Sequence, residues 1–260
     1  MGHATADDDG AADADPTAEA VQAALARLAS PERAAGAARF FKTGPGQYGE
    51  GDVFIGVTVP DTRTVVARFA ALPQHEVARL LESPVHEHRL AALLDMVRQF
   101  EVARRPRTRD DAARLALHEA YLAAVQAGRV DNWDLVDSSA EWLVGEVLRE
   151  AGRGDDPLLD RLAASASLWE RRVAVLATFS FVKAGDARPT LRLAPRLLDD
   201  REDLMHKAVG WMLREVGKRV DRDLLVGFLD EFAPRMPRTM LSYATEHLTP
   251  DERADYRARR

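Results

Sequence analysis

The stretch "MHKAVGWMLREVG", residues 205–217, opens on polar residues and then repeats apolar ones at intervals of three and four. That spacing lines one face of an α-helix. Three other segments share the build: "HEHRLAALLDMV" (86–97), "WDLVDSSAEWLVGEVL" (133–148) and "WERRVAVLATFSFV" (169–182). Aligned, they place Arg89, Asp137, Arg172 and Lys207 at corresponding positions, and the last three are separated by 35 and 35 residues. This period fits two-helix repeats of the HEAT kind. Trp133, four before Asp137, and Trp211, four after Lys207, fall on the same helix faces as their charged neighbours. In a solenoid, equivalent positions stack into a row, and the concave surface takes extended ligands.

Outside these segments the three-and-four spacing continues from about Thr17, with strand-like alternation almost nowhere. Pro31, the Gly-rich loop 44–51, Pro60, Pro73, Pro84, Pro106, Gly128, "GRGDDP" at 152–157, Gly185 and the later prolines cut the chain into about a dozen expected helices. The expected fold class is all-α, an α-solenoid of HEAT-like helical repeats, forming a single domain over 16–260. Residues 1–15, rich in Ala, Asp and Gly, read as a disordered acidic tail. Of 42 acidic residues, six (Asp7, Asp8, Asp9, Asp13, Asp15, Glu19) lie in the first twenty, where there is no Lys or Arg. The remainder, 36 acidic against 36 basic, is neutral. A neutral sum neither requires nor forbids a polyanion partner, since a one-sided patch decides that. Without cysteine there is no disulfide or thiolate chemistry. No apolar run is long enough to span a membrane and no basic region precedes an apolar one at the start, so a cytoplasmic protein is expected.

Each candidate residue has a plainer account. Asp134 falls in the first turn after Asn132, where a carboxylate caps backbone N–H groups and complements the helix dipole. Asp137 lies beyond the cap beside Val136 and Ala140, where an acid costs stability unless paired; a salt bridge to Arg172 is the plain alternative to chemistry. Trp142 in "AEWLVGEVL" reads as core, while Trp133 and Trp211 flank polar positions. His86 and His88 read as solvated residues at a helix start, and no metal is expected. The loop "FFKTGPGQYGEGDVFIGVTVPD" (40–61) lacks the GK[ST] ending of a phosphate cradle. Its glycines serve a tight inter-helix loop, with Val53–Val57 extended. Lys42, Tyr48 or backbone amides there remain candidates for touching a ligand.

Together, "FFKTGPGQYGEGDVFIGVTVPD", "NWDLVDSS", "LWERRVAVLATF", "HKAVGWMLREVGKR" and "PRMPRTMLSYA" resemble the AlkD-like family of DNA alkylation repair glycosylases, over about residues 20–258. The resemblance implies HEAT-like repeats with a concave DNA-binding face. It places the family's catalytic aspartate on Asp137, its active-site tryptophans on Trp133 and Trp211, and its arginine, expected to hold a phosphate, on Arg172.

The implied activity is hydrolysis of the N-glycosidic bond of cationic N3- or N7-alkylpurines in duplex DNA, by a cofactor-free and metal-free monomer. Bulky adducts, as in self-resistance to DNA-alkylating natural products, fall within that class. Phosphate contacts are expected from Arg89, Lys207, Arg214, Lys218, Arg235 and Arg238, with Lys42 at the loop. The alternatives are a non-catalytic HEAT-repeat module that binds DNA or branched DNA, and a protein scaffold.

Overall fold

In the computed structural model, residues 16–69 and 71–259 are described; the acidic tail lies outside them. Backbone contacts divide the chain into two units, residues up to 109 with 128–135, and residues 110–127 with 136 onward.

In the first unit, helices α1 (Ala18–Ala26), α2 (Pro31–Phe40) and α3 (Val59–Arg68) each start on a hydroxyl cap, Thr17, Ser30 and Thr58. Each cap accepts an N–H of the first turn that would otherwise lack a partner. Helices α4 (Gln74–Leu81) and α5 (His86–Arg104) follow. α5 is buried along most of its length, covering Leu90, Leu93, Leu94, Met96 and Phe100 as well as the polar His86, Glu87, Arg89 and Asp95, and α1, α3 and α4 pack around it.

In the second unit, α6 (Asp111–Gln126) precedes the end of α7 (Trp133–Asp137). A π-helical stretch, Glu141–Glu146, then runs into α8 (Val147–Glu150). α9 (Pro157–Ala163), α10 (Leu168–Lys183), α11 (Arg188–Leu193), α12 (Asp203–Arg219), α13 (Arg222–Phe232), α14 (Arg238–Ala244) and α15 (Pro250–Ala258) complete the unit. The π-helical stretch, α10, α12 and α14 pack successively side by side, with α9 against α10 and α13 against α12. The described residues thus form fifteen α-helices, against about a dozen expected. They contain no strand, only an isolated bridge between Val53 and Val85.

A recurring hydrogen bond marks the repeat. Arg89 donates to the Ser83 carbonyl (3.0 Å), Arg171 to that of Ser165 (2.9 Å) and His206 to that of Asp200 (2.6 Å), each six residues back. Arg171 and His206 keep the 35-residue step. Arg89 therefore corresponds to Arg171, one residue off the row of Arg172 and Lys207, and the expected equivalence of Arg89 with Asp137 is corrected.

Candidate active site

Within the second unit, α7 delivers Asp137 to α10. Arg172 Nε donates to Asp137 Oδ1 (2.9 Å) and Nη2 to Oδ2 (2.8 Å), a bidentate fork that fixes a carboxylate in plane and direction. Nη1 donates to the Leu204 carbonyl at the start of α12 (2.6 Å). Arg172 is 4% exposed. Its donors are thus taken by a carboxylate and a carbonyl, the salt bridge that the sequence offers as the plain alternative to chemistry at Asp137. The carboxylate itself is half-buried.

Two features hold this pair. A Cβ on Gly145 would stand 2.2 Å from the Ala177 carbonyl oxygen, so only glycine lets the π-helical stretch lie so close to α10. Behind Asp137, the Ser139 hydroxyl donates to the oxygen of the fully buried Tyr121 (3.0 Å). Burial pushes the Tyr121 hydroxyl above the usual tyrosine range, and the negative Asp137 adds to the shift. π-Helical turns inside α-helical segments are often found at functional positions.

On α12, Trp211 is half-buried, its ring 5.7 Å from that of Phe179 and tilted by 54°. Lys183 Nζ lies 4.5 Å from the Phe179 ring and Arg219 5.4 Å. Trp142 is not core as expected: it is half-buried, with Lys183 5.7 Å over its ring.

In the first unit, Trp133 stacks on Phe41 (5.2 Å, 15°) and meets Phe40 edge-on (5.9 Å, 75°). Phe40 is 66% exposed. Phe41 in turn stacks on Phe54 (4.9 Å), and Phe54 on His86 (4.5 Å). His86 is buried rather than solvated. Its Nδ1 faces Asp52 and its Nε2 faces Asp134, both at 2.8 Å. Burial opposes the charged imidazole, but the hydrogen bonds to Asp134 and Asp52 outweigh it, raising His86 from 6.5 to about 9. Asp134 is thus more than a cap. Asp52 also accepts from Arg89 (2.8 Å) and Asn132 (3.1 Å). Burial raises its pKa but His86 and Arg89 prevail, leaving it below the usual carboxylate range.

The Gly-rich loop therefore supplies an acid rather than a phosphate cradle. Its outgoing segment, 55–57, is gripped by Glu87, whose carboxylate accepts the N–H groups of Ile55, Gly56 (2.7 Å) and Val57. Phe41, Phe54, His86, Asp134 and Glu87 line a cavity of about 240 Å³. Phe40, Phe41, Asp52 and Tyr121 escape a search for repeat positions because none lies on the repeat; the adjacent "FF" before the loop was the available signal.

The model of the family described as DNA alkylation repair enzyme matches residues 21–248. The chain belongs to that family. A solved structure described as a predicted DNA alkylation repair enzyme from Enterococcus faecalis superposes with a TM-score of 0.64 at 14% identity, over 86% of this chain and 98% of that one. At that identity the likeness is one of fold. No curated protein matches the chain.

For a member of the DNA alkylation repair family, the cations divide by what already holds them. Arg89 is 5% exposed and paired with Asp52 and Asp131, so it braces the first unit and is withdrawn as a phosphate contact. Arg214, mostly covered, is tied to Glu246 and faces Glu215. Lys207, partly exposed, pairs with the exposed Asp203 (2.9 Å), and Arg235 with Asp199 (3.2 Å), both exposed. Such pairs are worth about 0 to 1 kcal/mol, little enough for a phosphate to displace. Lys218, Arg238 and Lys42 are exposed. Lys42 sits at φ 54°, with its Nζ 5.8 Å from the Tyr48 ring. No group of three His, Cys, Asp or Glu side chains among the described residues is placed to hold a metal ion, and no helix there is long and apolar enough to cross a membrane.

Proposed function

We propose that the protein is a monofunctional DNA glycosylase that hydrolyses the N-glycosidic bond of cationic N3- or N7-alkylpurines in duplex DNA, the excision step of base repair. The observation that supports this reading is the half-buried Asp137 carboxylate, held in one orientation by a buried arginine, in a chain of the alkylation repair family.

Ordinary glycosidases use two carboxylates, because the leaving group needs a proton while the sugar centre is attacked. An alkylated purine already carries the positive charge. When the bond from C1′ to the base breaks, the electron pair goes to the base and neutralises it, so no acid is needed. One carboxylate then suffices. Asp137 stabilises the oxocarbenium-like sugar, orients the attacking water and takes its proton. A preorganised group of this sort is worth about 3 to 4 kcal/mol.

A carboxylate has about four lone-pair directions and a bidentate arginine uses two of them. The family resemblance assigns Trp133 and Trp211 the ring faces for the developing charge, with cation–π attraction of about 1 to 2 kcal/mol once desolvated. The class of substrate includes both methyl and bulky N7-guanine adducts.

The test is base release from methylated duplex DNA, with a bulky N7-guanine substrate assayed alongside. Wild type is expected to release the alkylated base, and Asp137→Asn to be slower by about 10²- to 10³-fold. Equal release by the two proteins would overturn the reading, as would no release of either adduct by wild type.

A further inference from the structure

We propose that His86 is a positioning residue that sets the orientation of Trp133, acting through the two carboxylates and the ring stack it contacts. This rests on the reading that Trp133 meets the damaged nucleotide.

His86 reaches Trp133 by two routes. The first runs through the backbone on both sides of the tryptophan. On one side, Asn132 accepts the Trp133 N–H on Oδ1 (2.9 Å) and donates from Nδ2 to Asp52, the acid on His86 Nδ1. On the other, Asp134 accepts the Leu135 N–H (2.9 Å) and faces His86 Nε2. The second route runs through rings, from His86 to Phe54 to Phe41 to Trp133, with successive centroids 4.5, 4.9 and 5.2 Å apart and planes within 25° at each step.

An imidazole with a carboxylate oxygen on each nitrogen satisfies both only when both nitrogens carry protons. A neutral ring would turn a lone pair towards one acid. The state of this ring therefore decides whether Asp52 and Asp134 are both held. The charged groups around it are Asp52 from the Gly-rich loop, Asp134 and Asp131 beside the start of α7, Glu87, His88 and Arg89 from α5, and Arg33 of α2 on the shared cavity. Arg89 balances Asp52 and Asp131. Asp134 has His86 as its cation.

The experiment uses full-length protein labelled with 5-fluorotryptophan, whose four ¹⁹F resonances are assigned with Trp133→Phe. In wild type the Trp133 resonance should move with a midpoint near pH 9 as His86 deprotonates. In His86→Gln it should be displaced or broadened at neutral pH and the titration lost, while the other three tryptophans stay in place. Should His86→Gln not fold, Asp52→Asn and the wild-type titration provide the same readout.

Single-turnover base release in these variants should fall about tenfold, the scale of a small misplacement in a reactive site, with DNA affinity within about twofold of wild type. A Trp133 resonance that ignores pH and both variants overturns the proposal. So does a loss of release that saturating protein restores. Failure of wild type to release base is a different result: it overturns the glycosylase reading and leaves the resonance to judge the positioning.

Discussion

At the scale of single residues, Arg172 and His86 bear charges whose partners decide their roles. Arg172→Lys keeps a cation but cannot make the planar fork to both Asp137 oxygens. If the guanidinium orients the acid, this substitution should slow single-turnover base release by tenfold or more, on the order of one lost charge-assisted hydrogen bond, while DNA affinity measured by anisotropy stays close to wild type. A phosphate-binding arginine would give the reverse pattern. His86 links pH to stability. Its pKa is raised from 6.5 to about 9 on folding, so its contribution is complete below 6.5, where both folded and unfolded chains hold the proton. It declines as pH rises, because the unfolded chain has released the proton that the folded one keeps, and it is gone above about 9. The gap corresponds to about 3 kcal/mol. Urea midpoints followed from about pH 6 to 10 should fall for wild type and, over this residue's share, stay level in His86→Gln.

At the scale of elements, the close approach of the π-helical stretch to α10 permits the Asp137–Arg172 fork. Gly145→Ala would drive a methyl to 2.2 Å from the Ala177 carbonyl and 3.0 Å from Ser180 Cβ. Neither neighbour can swing away without moving α10. The expected cost is about 1 to 3 kcal/mol, with base release reduced beyond what the melting temperature explains, because the helix that shifts carries Arg172. Gly227→Ala on α13 is the control: its Cβ meets nothing within 4 Å, so it should stabilise by up to about 1 kcal/mol. The helices themselves were legible, since burial follows the three-and-four spacing, and so was the 35-residue step that brings Asp137 against Arg172. The place of Arg89 was not. Arginines at both 171 and 172 satisfy an alignment equally well, and only the bond to a carbonyl six residues back chooses between them. The role of Asp52 was illegible for another reason: its partners His86, Arg89 and Asn132 lie 34, 37 and 80 residues away, beyond any local pattern. His86 looked solvated because a helix start usually is, and nothing in "HEHR" announces two distant acids.

At the scale of the whole chain, charge arithmetic predicts how DNA is held. The body beyond residue 20 is neutral in sum, so affinity must come from particular cations. Arg89 and Arg172 are buried against acids and release no counterions when DNA arrives. Lys42, Lys207, Lys218, Arg235 and Arg238 remain, three of them exposed, with Lys218 near Glu215, and two in weak surface pairs. If all five meet phosphates, the logarithm of the binding constant should fall with that of salt at a slope of about −4.5, a loss of about 500-fold between 50 and 200 mM salt. Replacing Lys218 and Arg238 together by alanine should flatten the slope by about 1.8 and weaken binding to damaged and undamaged duplex alike. Arg89→Ala should leave the slope unchanged and instead lower the melting temperature, because it removes the buried cation that Asp52 and Asp131 share. A double variant with an unaltered slope would take both residues out of the DNA contact. An Arg89→Ala protein that melts normally but loses salt dependence would return that arginine to the surface where the sequence first placed it.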